Sequence, residues 1–154
     1  MSYKSDVRIT ISKKGYNKMI EYLENYIKEK ELDRNEILEL LNSPEINYEN
    51  KFQKYIGWND LKWYDSYPDI IAINAALSYI ENEGYSYKFT RIGENLTDIE
   101  EYGCDGDKDT KKNLYVDYPY IERGFDDVQM KNSMINQTKE IEKIKDKCER
   151  WKNI

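Results

Sequence analysis

The sequence predicts an α+β fold in a single domain: a mostly antiparallel sheet of about four strands, helices packed on it, and a long C-terminal helix. Three observations carry this. Segments alternating apolar and polar residues with a period of two are interleaved with segments whose apolar residues recur at three and four. A chain of 154 residues is long enough for one core, burying roughly 70% of the surface its unfolded form exposes. Although 35% of residues are charged, aromatics reach 14% and include 15 tyrosines, which is the composition of a folded chain. Residues 1–125 are expected to form the α+β body and 126–154 a C-terminal helix of the same domain.

The first strand is DVRITIS, where Val7, Ile9 and Ile11 alternate with Arg8, Thr10 and Ser12. A helix follows, with Tyr16, Met19, Ile20, Leu23 and Ile27 on one stripe. Asp33 and Glu36 match a capping box ahead of a short helix that Pro44 ends. Residues 42–51 read as a polar connection, and KFQKYIGW as a second strand with a bend or bulge at Gly57. Ser66 and Asp69 flank Pro68 at the start of a mostly apolar, central helix that stops at Gly84. Two more strands are expected in YSYKFTRI (85–92) and NLYVDYPYI (113–121), the latter placed at a sheet edge by Pro119. The intervening acidic segment 94–112 reads as a long connection or as a short helix followed by a loop. In the last helix, Met130, Met134, Ile141, Ile144, Cys148 and Trp151 form a seam interrupted by Gln137. That seam packs on the sheet or pairs with a second copy in a homodimer.

Composition narrows the function classes. No run approaches the ~20 apolar residues of a membrane span, and MSYKSDVRITIS lacks the apolar core of a signal peptide, so a cytoplasmic location without membrane partners is expected. Cys104 and Cys148 are far apart and the chain has no histidine, so no metal or cofactor is expected and both thiols read as reduced. Lysine, isoleucine, asparagine and tyrosine are abundant and arginine scarce, a bias that points to AT-rich coding.

The net charge of −6 is concentrated. Residues 60–109 hold twelve acids against Lys62, Lys88, Arg91 and Lys108, and ENLTDIEEYGCDGDKD (94–109) contains Glu94, Asp98, Glu100, Glu101, Asp105, Asp107 and Asp109. Carboxylates at this density repel one another unless solvated or opposed by a basic partner, and they oppose direct nucleic-acid binding, which draws its affinity from cations. They also suit imitation of a phosphate backbone in the basic groove of a nucleic-acid enzyme; the plainer reading is a solvated loop.

A second candidate is GWNDLKWYDSYPD (57–69), with Trp58, Asp60, Trp63, Tyr64 and Asp65. Aromatics around a strand–turn–helix junction fill the space between sheet and helix, while aspartates form turns and caps. The functional alternative leaves Trp58, Trp63 and Tyr64 exposed as anchors of a binding surface. A third reading stacks a base on an indole, making the protein a module that sequesters a nucleotide signal.

Catalysis has little support: without histidine, acid–base work falls to groups needing strongly shifted pKa values, and Cys104 stands among acids that oppose its thiolate. Asp105, Asp107 and Asp109 imitate the start of a calcium loop, but Thr110 and Val116 occupy the positions of its required glycine and glutamate. No catalytic residue is assigned.

Taken together, GWNDLKWYDSYPDI, YSYKFTRIGENLTDIEEY and YPYIERGFDD resemble a family of small, acidic, tyrosine-rich proteins of phages and prophages of low-GC Gram-positive bacteria, over roughly residues 7–127. No catalytic or binding residue carries over from that family. The resemblance implies a setting: an accessory protein that acts stoichiometrically on host machinery, as inhibitors of CRISPR and other defence systems do. The expectation is a non-enzymatic inhibitor whose acidic stretch faces a partner's basic groove.

Overall fold

The computed structural model describes residues 2–95, 97–122 and 124–152, with side chains through residue 147 in the last segment. The elements run β1 (Ser5–Ser12), α1 (Lys13–Lys30), α2 (Arg34–Asn42), β2 (Ile46–Glu49), β3 (Gln53–Leu61), α3 (Pro68–Asn82), β4 (Tyr87–Gly93), β5 (Ile99–Cys104), α4 (Asp107–Thr110) and α5 (Asp127–Lys152). The architecture is α+β, built on one sheet in the order β2-β3-β1-β4-β5 with every pair antiparallel.

Alternation along β1 sorts the molecule into layers. Val7, Ile9 and Ile11 join Ile56, Trp58 and Phe89 against Met19 and Leu23 of α1 and Ile70, Ile73 and Leu77 of α3, forming the main core. Six buried side chains make α3 the central helix, as its composition predicts. The opposite face presents Arg8 and Thr10 with Tyr55, and α5 covers it through Met130 and Met134, with Ile46 and Tyr48 alongside. The terminal helix therefore packs on its own sheet; Ile144 is 42% exposed, and the expected seam residues Cys148 and Trp151 lie outside the described side chains. Gln137 breaks the apolar seam because its amide bonds Gln53 and the Tyr115 carbonyl.

Four expectations need correction. The sheet has five strands, not four: β2 lies inside the segment read as a polar connection, and β5 inside the acidic one. Conversely, 113–121 joins no ladder among the described residues; it has an isolated Ile121–Phe125 bridge, and Gln137 bonds its Tyr115 carbonyl. Its period of two holds only at the start, where Leu114 and Val116 are buried and Tyr115 is exposed; Tyr118 and Tyr120, expected on the buried side with them, are exposed, because the chain lies across the surface without a ladder to fix its faces. The bulge in β3 sits at Asn59–Asp60, where Asp60 has φ 52°, and not at Gly57. Asp33 caps α2 through the Asn35 N–H at 2.9 Å, whereas Ser66 does not cap α3, whose N-cap position is Tyr67 and carries no side-chain cap.

Candidate interaction surface

The turn between β3 and α3 is held from beneath by its indoles. Trp58 is 3% exposed and donates its Nε1–H to the Leu40 carbonyl at 3.0 Å; Trp63 is 8% exposed. Their rings lie 6.3 Å apart, and the stack continues from Trp63 to Phe89 at 5.4 Å and from Phe89 to Tyr102 at 4.5 Å. Trp58 and Trp63 are thus core residues, which corrects the expectation of exposed anchors and leaves the base-stacking reading of this turn without an open indole. Tyr64 is half-buried, edge-on to Tyr67 at 5.0 Å. Asp60 and Asp65 stay at the surface. Asp60 serves the bulge, its N–H donating to Asp6 Oδ1 at 3.0 Å.

The acidic stretch forms the open edge of the sheet. Register pairs Arg91 with Glu100 and Thr90 with Glu101. The Arg91 guanidinium reaches Asp98 at 2.9 Å and Glu100 at 3.6 Å, and Lys88 reaches Asp105 at 2.8 Å. Arg91, aided by the Tyr3 hydroxyl at 2.6 Å, holds the Asp98 carboxyl below the usual aspartate range. Glu94 accepts the Lys4 N–H at 2.9 Å. Among the described residues Glu94, Glu101 and Asp107 form no salt bridge. Asp109 is different: it is 3% exposed and accepts the Ser86 N–H at 2.6 Å, so it ties α4 to the sheet and cannot meet a partner as expected.

Folding also joins the two candidate segments. Tyr102 is pushed above its ordinary pKa by burial first, then by Tyr87, Glu100 and Asp65, so the charges of Asp65 in the turn and of Glu100 in β5 both act on one phenol. That phenol donates to Asn74 Oδ1 at 3.1 Å. Asp65 and Glu100 therefore lie on the same side of the open edge, whereas Glu101, the next residue of β5 and the partner of Thr90, points to the other face of the sheet; with Asp105 and Asp107 beyond the strand end they make an acidic rim along both sides of the edge. No lysine of α5 forms a salt bridge with this rim among the described residues; Lys131 sits over Tyr48 and Lys145 over Phe52.

Other chemistry finds little here. Burial raises the Cys104 pKa, and its Sγ–H donates to the Tyr85 carbonyl. Residues 107–110 form a helical turn instead of a calcium loop, and no cluster of three metal-ligating side chains occurs among the described residues. No helix among them is long and apolar enough to cross a membrane. A basic cavity formed by Lys13, Lys14, Lys51, Lys112 and Lys145 escaped sequence reading, because its lysines come from four separated segments with no motif in common. No protein-family model, curated protein or solved structure matches the chain.

Proposed function

We propose that the protein is a non-enzymatic accessory protein of phage type that binds and inhibits a host or defence protein handling nucleic acid. The observation that carries this reading is the acidic rim at the open edge of the sheet, where Glu100 and Glu101 are fixed on β5, Asp65 acts with Glu100 on the Tyr102 phenol, and Glu101 forms no salt bridge among the described residues. Carboxylates fixed on a strand occupy a basic groove without the entropy cost of ordering a loop. Ile99, 45% exposed, and Tyr64 supply apolar contact beside them. Trp58 and Trp63 act indirectly, as the packed support that sets Asp65 over β5.

The test is capture of a CRISPR effector nuclease, a protein with a basic nucleic-acid channel, by the full chain and by a variant carrying Asp65→Asn, Glu100→Gln, Glu101→Gln and Asp107→Asn. Capture by the parent and loss in the variant are expected, together with weakening of the parent complex as salt rises. Undiminished capture by the variant would refute the acidic mechanism.

A further inference from the structure

We infer that the cavity at the start of α1 binds a small phosphate-bearing anion between the ammonium groups of Lys14 and Lys112. This site is separate from the acidic rim. The cavity measures about 260 Å³ and is walled by Lys13, Lys14, Lys51, Lys112 and Lys145. Its apolar floor is made by Phe52, Leu114 and Ile141, and Asp109 is its one carboxylate.

Charge accounting singles out two of these lysines. Lys13 reaches Glu49 at 3.4 Å, Lys51 reaches Glu142 at 3.9 Å, and Lys145 rests over the Phe52 ring. Lys14 and Lys112 form no salt bridge among the described residues, and both line this one cavity. Lys14 is the largest cause of a lowered Lys112 pKa, and Lys145 adds to it while Asp109 opposes. The buried Asp109 already accepts the Ser86 N–H, so within the cavity one engaged carboxylate stands against the three ammonium groups without a salt bridge among the described residues, those of Lys14, Lys112 and Lys145.

The position sharpens the conflict. Helix N-termini favour acids, and α2, α3, α4 and α5 each carry one in the first turn, whereas α1 has none and begins with Lys13 and Lys14. Positive side chains at the positive end of an 18-residue helix, beside a third ammonium from another segment, destabilise the empty state. A phosphate group removes that conflict: its oxygens accept from both lysines, and the helix end favours its charge. The floor of Phe52, Leu114 and Ile141 takes a compact organic body attached to it. Such departures from local preference concentrate at functional sites.

Calorimetric titration of the full chain at low ionic strength, with inorganic phosphate and with ADP in separate arms, tests this. Saturable one-to-one binding is expected, weaker by about tenfold or more in Lys14→Gln and in Lys112→Gln and unchanged in Lys28→Gln, a surface replacement at the far end of α1. ADP binding more tightly than phosphate identifies an organic phosphate as the occupant; equal affinity identifies the free anion. Without phosphate, Lys112→Gln is expected to melt at or above the parent temperature, which also reports that it folds. Absence of saturable binding in both arms overturns the assignment, as does unchanged affinity in the two lysine variants. Tighter, Lys14-dependent binding of an oligonucleotide would overturn it too, by giving these lysines to a nucleic acid. Capture of the basic partner is expected to be indifferent to both replacements.

Discussion

Arg8 shows how one residue reconciles a charge with a core strand. Its side chain is 2% exposed, yet Nε and Nη2 donate to Asp127 at 3.0 and 3.1 Å, Nη1 to the carbonyls of Val7 and Trp58, and Nη2 also to Asn59 Oδ1. Phe125 covers the guanidinium at 4.5 Å, and Tyr55 completes Asp127 with a 2.6 Å hydrogen bond. Gly57 makes the room, since a Cβ there would stand 2.3 Å from Arg8 Cδ and 2.6 Å from the Val7 carbonyl oxygen. Gly57→Ala is therefore expected to cost about 1–3 kcal/mol in urea unfolding. Arg8→Met leaves Asp127 unpaired and is expected to cost about 3–5 kcal/mol, part of which the double variant with Asp127→Asn recovers. Tyrosines supply a second residue-scale prediction. Burial raises the pKa of Tyr55, Tyr87 and Tyr102. Their phenols ionise first in the unfolded chain, near pH 10, so the stability they contribute is complete below that value and is lost as pH climbs toward the folded pKa values. Urea midpoints that fall steeply above about pH 10, and less steeply in Tyr87→Phe, are expected.

At the scale of elements, long periodic segments were legible and short ones were not. β1, α1 and α3 follow from their patterns because one face of each meets the core directly. β2 has only four residues, and β5 reads IEEYGC, with acids side by side and no alternation of apolar residues; each is a strand because a neighbour offers it a ladder. Edge strands tolerate such sequences, and charges there discourage edge-to-edge pairing. The segment 113–121 has the better strand pattern but lies over the second face, where Lys88 meets Tyr118 and Gln137 meets the Tyr115 carbonyl. The helix α5 splits by burial. Met134→Ala is expected to destabilise by about 2–4 kcal/mol, since it opens a hole over Tyr55, while Ile144→Ala, at an exposed position, is expected to change stability by less than about 0.5 kcal/mol. Thermal or urea unfolding of the two variants checks the contrast.

For the whole molecule, charge is arranged by the fold as much as by the chain. The acidic rim gathers Asp65 from one segment with Glu100 and Glu101 from another, while the lysines of the basic cavity assemble from α1, the loop before β3, the loop after α4, and α5. Opposite charges kept apart in this way give a polar molecule, and the association proposed above with a basic partner would be steered at long range and screened by salt. Association rates with such a partner are expected to fall as salt rises, and the Asp65, Glu100, Glu101 and Asp107 variant to flatten that dependence, as stopped-flow mixing would register. Periodicity and composition were enough to establish an α+β domain, its principal helices and the excess of acid, because burial of apolar faces is written in local spacing. Tertiary structure alone decided that Trp58, Trp63 and Asp109 are internal, that β5 is an edge, and that Lys14 and Lys112 line one cavity. Those outcomes depend on contacts between distant segments, and such contacts leave no spacing in the chain from which they can be read.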